Sequence, residues 1–194
     1  MAEMNDSFNE VTAEMLKVIS DYDSVTGFQG AYNIRQDSMC AGRKNSENIT
    51  IESKTDKPGI NIRVKPGTKG ETVYIPACVT HSNVDDLVYN DFFIGEGADV
   101  TIVAGCGVHS DGSETARHNG IHRFFLEKGA KVLYKEKHIG TGKGTGLRKI
   151  DPVTDAYLKE DSYLEMDTVQ LRGVDRTTRS TSAVLDKGAK IVVR

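Results

Sequence analysis

The sequence predicts an all-β fold: a β-helix with two long strands in each turn, preceded by a short N-terminal α-helix. Three observations support this prediction. One segment recurs four times without gaps, apolar residues alternate with polar ones after residue 48, and the 194 residues include 19 glycines but only 4 prolines and no tryptophan. Such a pattern is typical of strands joined by tight turns.

The helix is predicted from Ser7 to about residue 21. Ser7 and Glu10 have the spacing of a capping box, in which the two residues satisfy each other's backbone N–H groups. An apolar stripe follows at helical spacing, made of Phe8, Val11, Met15, Val18 or Ile19, and Tyr22. We interpret the helix as packed on the core, with docking to a partner as the alternative. Residues 1–30 form the predicted helix and lead-in, and residues 31–194 the predicted β-helix.

Strand-type alternation begins once the lead-in ends. Every second residue is apolar in several short runs, which places one face of each strand in a core. These runs are Ile49 and Ile51, then Ile60, Ile62 and Val64, then Val73 and Ile75.

The internal repeat is the strongest of the three signals. Its copies lie at offsets of 32, 32 and 27 residues and read FIGEGADVTI (93–102), FLEKGAKVLY (125–134), YLKEDSYLEM (157–166) and VLDKGAKIVV (184–193). A weaker copy at 67–75 aligns Gly70 with Gly97. Each copy is predicted to be strand, turn and strand, with glycine or aspartate where a positive φ is needed. Stacked units of this length favour a β-helix over the alternative, a sandwich of hairpins.

Charge and composition exclude several classes of protein. The 25 Lys+Arg against 28 Asp+Glu leave no basic surface for nucleic acid. No apolar run is long enough for a membrane span, and the start MAEMNDSFNE is unlike a signal peptide. Cys40, Cys78 and Cys106 are odd in number and widely spaced, so we expect reduced thiols in a cytoplasmic protein.

The candidate site is the segment CGVHSDGSETARHNGIH, residues 106–122. Cys106, His109, His118 and His122 offer a thiol and three imidazoles, a ligand set that suits zinc, iron or an iron–sulfur cluster. If residues 118–124 are extended, His118 and His122 point to the same face. The alternative is a turn with solvated histidines and Cys106 as a small buried hydrophobe.

Other motifs have simpler interpretations. Cys78 and His81 repeat the Cys-x-x-His spacing, but Cys78 lies in an apolar strand and is predicted to be a packed thiol. The glycine run HIGTGKGTGLRK (138–149) lacks the Ser or Thr that follows Gly-Lys in a phosphate-binding loop. It is therefore predicted to be a flexible connector that binds no nucleotide. Most of five acidic residues are expected at turns or solvent faces, with a solvated edge as the default; the five are Asp85, Asp86, Asp91, Glu160 and Asp161.

Three blocks resemble the SufB/SufD family of iron–sulfur cluster assembly proteins, above all the short single-gene form of anaerobic bacteria and archaea. They are VYNDFFIGEGADVTIVAGCGVHSDG (88–112), HNGIHRFFLEKGAKVLYKEKHIGTGKGTG (118–146) and TVQLRGVDRTTRSTSAVLDKGAKI (168–191). AYNIRQD (31–37) is similar to the lead-in of that form. The resemblance covers roughly residues 30–194.

The resemblance implies a right-handed β-helix that acts as a scaffold and not as an enzyme. Such a scaffold works with a SufC-type ABC ATPase and a sulfur donor protein, builds a transient cluster and transfers it. It also implies a homo- or heterodimer with a SufB/SufD-type subunit through the terminal strands. Chains of the family continue through further turns, assembly residues and C-terminal helices, so this chain, which ends at Arg194, is expected to lack the C-terminal part.

Our hypothesis from the sequence is a Suf-type scaffold in which Cys106 contacts sulfur or iron as a thiolate. His109, His118 and His122 would be auxiliary ligands, an assignment that rests on their chemistry and not on the resemblance. One alternative is a structural β-helix that dimerises and holds no cluster. A second, less favoured one is a carbohydrate-active β-helix, which requires paired carboxylates in an open groove.

Overall fold

A computed structural model describes residues 6–194, and within that range it contains one helix and sixteen strands. Strands account for 57% of the residues. The first five residues, which belong to the predicted N-terminal segment and its acidic start, lie outside the described residues.

The strands form two sheets of eight strands each. The first sheet contains β1 (Ala31–Gln36), β2 (Met39–Lys44), β5 (Lys69–Tyr74), β6 (Ala77–Val79), β8 (Asp99–His109), β10 (Lys131–Thr141), β13 (Tyr163–Arg172) and β16 (Lys190–Val193). The second sheet contains β3 (Ile49–Ser53), β4 (Gly59–Val64), β7 (Asp85–Ile94), β9 (Ala116–Leu126), β11 (Arg148–Ile150), β12 (Val153–Leu158), β14 (Arg176–Thr177) and β15 (Ser180–Leu185).

From β5 onward the chain passes back and forth between the two sheets, and its strands pair in parallel with those of the preceding turn. This arrangement makes a β-solenoid of about four turns. The central strands are 10 or 11 residues long. Strands β8 and β10 pair without interruption from Asp99↔Lys131 to His109↔Thr141. The offset of 32 residues in this register equals the period of the sequence repeat, so the predicted β-helix with two long strands per turn is confirmed.

The repeated turns have the predicted backbone. Gly97, Gly129, Asp161 and Gly188 all have positive φ, between 57° and 70°. The N–H of Gly97 donates to the carbonyl of Lys128 in the next turn at 2.9 Å. Each turn therefore continues the hydrogen-bonded stacking of the strands on either side of it.

The weaker copy of the repeat was aligned wrongly. Gly67, with φ of 72°, occupies the position equivalent to Gly97, because its N–H donates to Glu96 at 2.9 Å. Gly70 instead lies at a bulge between Lys69 and Glu71, where the register with β8 shifts by one residue. An extra residue of this kind cannot be seen in an ungapped alignment.

The main core lies between the sheets, next to the tight turns. It is built from the alternating Ile, Val, Leu and Phe side chains of the stacked strands. Phe92 and Phe124 stack in it with ring centroids 4.5 Å apart, while Phe93, Phe125 and Tyr157 form a parallel stack on the outer face. Residues at the repeat period therefore pack on one another, turn over turn.

The predicted N-terminal helix is confirmed as α1 (Glu10–Ile19), but its cap was predicted at the wrong residue. Asn9 is the N-cap, and its side chain accepts from the N–H of Thr12 at 2.9 Å. Met15, Leu16 and Ile19 are buried and pack the helix on the first sheet. Within residues 6–194, no helix is both long enough and apolar enough to cross a membrane.

Replacing Asn9 by alanine should lower the free energy of unfolding by about 1 kcal/mol, because the Thr12 N–H loses its acceptor. Ser7→Ala is the matched control and should change the stability by less than about 0.5 kcal/mol, since Ser7 donates to Ala41 through its backbone N–H. Urea unfolding of both variants measures the difference. Equal losses would contradict the assignment of Asn9 as the cap.

Candidate functional site

A band of polar side chains crosses the interior of the solenoid, beyond the apolar core. On β9 the inward positions change from Leu126 and Phe124 to His122 and His118, and all four side chains are buried. The strand is extended, so the prediction that the two histidines share a face is confirmed. Charged and polar side chains from neighbouring strands meet them there; they are Arg35, Asp86, Asn90, Tyr134, Glu136 and His138.

His118 belongs to an ion-pair group with Asp86 and Arg35. Its Nδ1 lies 3.0 Å from Asp86 Oδ2, and the Arg35 guanidinium donates to both oxygens of the same carboxylate at 2.7–3.0 Å. Burial alone would raise the pKa of Asp86, but the hydrogen bonds from His118 and Arg35 outweigh it and hold the pKa well below its usual range. The expectation that Asp86 faces solvent is therefore wrong, because its side chain is fully buried.

His122 takes part in a chain of hydrogen bonds through Tyr134. The Tyr134 hydroxyl donates to Glu136 Oε1 at 3.0 Å, and its oxygen lies 2.8 Å from His122 Nδ1. Because the hydroxyl proton points to the carboxylate, His122 donates through Nδ1, and its Nε2 accepts from Asn90 at 3.5 Å. Burial lowers the pKa of His122 to about 4, so the ring is neutral at physiological pH.

Gly120 makes room for the two imidazoles. A Cβ at this position would lie 2.7 Å from Nε2 of His122 and 3.4 Å from Nε2 of His118. Both rings therefore point their Nε2 atoms towards the space that the missing side chain leaves open.

Glu136 is the second buried carboxylate of the band. Arg179, from the connection between β14 and β15, is hydrogen-bonded to its Oε2, and His138 Nε2 lies 3.3 Å from its Oε1. Burial alone would raise the pKa of Glu136, but the contact with His138 and the charge of Arg179 more than offset it and hold the pKa low. Glu136 is therefore ionised inside the protein.

Cys106 lies on β8 directly opposite His138 in the parallel register. Its thiol is buried, and burial together with the charge of Glu136 raises its pKa well above the usual range. The sulfur, a Glu136 oxygen and a His138 nitrogen all lie within 4.8 Å of one another. Among the described residues, this is the group of Cys, His, Asp and Glu side chains placed closely enough to hold a metal ion.

The four residues proposed from the sequence separate into two locations. Cys106, His118 and His122 line a cavity of about 20 Å³ in the interior, which has room for about one water molecule. His109 is an odd number of residues from Cys106 and lies on the outer face, where its Nδ1 is 2.9 Å from Thr141 Oγ1 and its ring borders a groove beside α1. Whether any of the four binds iron or sulfur stays a prediction.

The remaining cysteines have other surroundings. All three cysteines are free. Cys78 is fully buried among the residues beneath α1, and burial raises its pKa to about 12, in agreement with the predicted packed thiol. Cys40 is partly exposed, and its sulfur lies 3.4 Å from Asn33 Oδ1.

The glycine run joins β10 to β11, as predicted for a connector, but it is paired along its length. Gly144 and Gly146 donate to the carbonyls of Ser110 and Gly112 in the preceding turn at 2.8 and 2.9 Å. A Cβ on Gly146 would lie 1.9 Å from the Glu114 carbonyl oxygen. The run therefore lets two backbones approach closely, which gives its glycines a structural role.

Sequence reasoning missed Glu136 and His138 as members of the site. His138 was assigned to the glycine run, and Glu136 was not singled out. The period of 32 residues could have found His138, because Cys106 plus 32 is His138. The same offset relates Asp86 to His118 and Asn90 to His122.

Three curated proteins are similar to part of this chain, and each is described as an iron–sulfur cluster assembly SufBD family protein. One from Methanothermobacter thermautotrophicus strain Winter is 32% identical over 89 residues, and one from Archaeoglobus fulgidus is 33% identical over 98 residues. A third, from Methanothermobacter thermautotrophicus strain Delta H, is 30% identical over 89 residues. The resemblance to the SufB/SufD family is confirmed.

The aligned region covers 45–50% of this chain and 21–26% of the length of these SufBD relatives. No protein-family profile matches the chain. No solved structure matches it significantly either.

Asp86→Asn should destabilise the protein by about 3–5 kcal/mol, because it leaves Arg35 as an uncompensated charge in the interior. Asp85→Asn is the matched control: the neighbouring residue is exposed, 3.7 Å from Arg117, and its change should cost less than about 0.5 kcal/mol. Urea unfolding at neutral pH compares the two. Similar costs for both substitutions would show that the buried pair contributes little.

Stability should fall as the pH is lowered from about 6.5 to 4, in part because of His122. The unfolded chain binds a proton at this residue near pH 6.5, whereas the folded protein resists protonation until about pH 4. The stability contributed by the neutral ring is thus complete above pH 6.5 and is lost as the pH falls towards 4. His122→Gln should flatten the dependence of the unfolding free energy on pH in this interval, and an unchanged slope would contradict the assignment.

Proposed function

We propose that this chain is part of a Suf-type scaffold for iron–sulfur cluster assembly in the cytoplasm, and that it is not itself an enzyme. The observation that carries the proposal is the similarity to three SufBD family proteins over about half of the chain. In this role it would work with a SufC-type ABC ATPase, a sulfur donor protein and a second SufB/SufD-type subunit. The assembled cluster would be transient and would be passed to an acceptor protein.

The interior of the solenoid supports this role through the kinds of side chain it contains. Cys106 is a sulfur ligand next to a carboxylate and an imidazole, and thiolate ligands are those on which iron–sulfur clusters depend. We propose Cys106 as the residue that contacts sulfur or iron. His118 and His122, which share a cavity with it, would assist.

A structural subunit that holds no cluster is the second candidate, and the state of Cys106 favours it. The side chain is only 5% exposed, and its raised pKa keeps it protonated at neutral pH. Because the thiolate is the form that attacks sulfur and binds metal, the thiol must lose its proton before it can act. If the Cys106 thiol never loses its proton, the chain has only a structural role, in which it dimerises and positions partner proteins.

Anaerobic reconstitution with ferrous iron and sulfide separates the two candidates. We expect a stable chromophore from sulfur-to-iron charge transfer, together with bound iron, and we expect Cys106→Ser to abolish both. Cys40→Ser is the matched control and should retain them, because Cys40 lies outside the interior band. Visible absorption and an iron assay on desalted protein give the readout.

A folded wild-type chain that stays colourless would reject the cluster-holding proposal and support the structural one. A chromophore that survives Cys106→Ser would reject the assignment of this residue.

A further inference from the structure

The side chains of Cys106, Glu136 and His138 form a three-sided pocket inside the solenoid. Cys106 and His138 are direct partners in neighbouring strands, and Glu136 precedes His138 by two residues, which puts it on the same face. Sulfur, oxygen and nitrogen donor atoms converge within 4.8 Å. All three residues are at most 5% exposed.

The imidazole of His138 has an unused nitrogen that points into this pocket. Its Nδ1 lies 3.2 Å from Gln170 Oε1, an acceptor, so Nδ1 carries a proton, and in the neutral ring Nε2 presents a lone pair. This Nε2 is buried and has no hydrogen-bond partner, although Glu136 Oε1 lies only 3.3 Å away. A cation between these two atoms, either a proton on Nε2 or a metal ion, would offset the repulsion between their lone pairs.

The outer contacts of the pocket hold the ligands in place. Arg179 binds Oε2 of Glu136 and leaves Oε1 facing His138. Oε1 accepts one hydrogen bond, from Tyr134 at 3.0 Å, and therefore keeps a free lone pair. In protein metal sites the ligating histidine usually donates its other N–H to an acceptor, and the ligating carboxylate is itself hydrogen-bonded.

We propose that Cys106, Glu136 and His138 bind a single divalent transition-metal ion, of the zinc or ferrous type. A thiolate, a carboxylate and an imidazole suit these borderline metals better than Mg²⁺ or Ca²⁺, which take oxygen ligands. Binding replaces the proton of the Cys106 thiol, which leaves to solvent, so one thiolate and one carboxylate face the ion. Three protein ligands leave a fourth coordination position open.

The proposal concerns the same thiol as the proposed function but does not require that function to hold, because it rests on the arrangement of three side chains and needs no sulfide. It also regroups the ligands expected from the sequence. Cys106 is retained, but its partners become Glu136 and His138 on the adjacent strand, and His118 remains paired with Asp86.

Titration of the metal-free chain with Co²⁺ under anaerobic conditions tests the site. We expect one cobalt ion per chain, a thiolate-to-cobalt charge-transfer band, and the intense visible bands of a four-coordinate ion. Zn²⁺, which thiolate and imidazole ligands favour, should displace the cobalt and remove these bands. Metal-free protein is prepared by dialysis against a chelator, and its circular dichroism is recorded before the titration.

Substitutions identify the ligands. Cys106→Ser should remove the charge-transfer band, and His138→Gln and Glu136→Gln should each weaken binding by more than about 100-fold. The matched controls His81→Gln and Cys40→Ser change residues of the same types outside the pocket and should bind cobalt as the wild type does. Gln170→Ala alters an exposed residue and should weaken binding about 10–100-fold through its support of His138, which keeps the test valid if His138→Gln does not fold.

The proposal is overturned if the folded wild-type chain binds no cobalt with a thiolate band. It is also overturned if the band survives His138→Gln and Glu136→Gln but is lost in His118→Gln, which would restore the ligand set expected from the sequence. Cobalt binding without a chromophore in the iron and sulfide reconstitution would support this site and reject the cluster-holding role. The reverse result would reject the site alone.

Discussion

The in-register parallel pairing between successive turns is the constraint on which the rest of the structure depends. Because each residue of β10 lies opposite the β8 residue 32 positions earlier, a position that points inward in one turn points inward in the next. This rule stacks Phe92 on Phe124 in the core. It also means that a polar side chain placed inward cannot reach solvent, and must find its partners among the same stacked positions or in a distant segment.

The largest energetic cost that this constraint imposes is the burial of charged groups in the polar band. Two ionised carboxylates lie inside it, and the cost of burying a charge is large unless a counter-charge is hydrogen-bonded to it. Arg35 from the first strand neutralises Asp86, and Arg179 from the last turns neutralises Glu136. The two arginines enter from opposite ends of the solenoid. The band therefore links turns that are not neighbours and that share no strand pairing of their own. A core with buried ion pairs is harder to stabilise than an apolar core of equal volume. A polar band of this kind is therefore expected where the interior has a chemical role.

How well the sequence predicted each part of this arrangement depends on how far apart the interacting residues lie along the chain. The period-two alternation and the repeat are local patterns, and they correctly predicted the alternating strands, the turns of the four ungapped copies and the inward faces of His118 and His122. The cap of α1 was misassigned because Ser7 and Asn9 are both good capping residues, and contacts far along the chain, from Asn9 to Gln36 and Thr80, decide between them. His138 could have been placed beside Cys106 by applying the period of 32 to single residues. The contact of Arg179 with Glu136 has no such signal, because it crosses turns outside the repeat register.

The chemical state of Cys106 connects the structure to the function proposed for it. Inside an apolar and negatively charged surrounding, the thiol holds its proton, and a protonated thiol neither attacks a persulfide nor binds iron well. A bound divalent cation reverses this preference, since a coordinating thiol is deprotonated outright. The buried carboxylate that disfavours the thiolate in the absence of metal is the same group that would bind the cation beside it. One arrangement of Cys106, Glu136 and His138 can therefore keep the sulfur unreactive until a metal ion arrives, and activate it when one does.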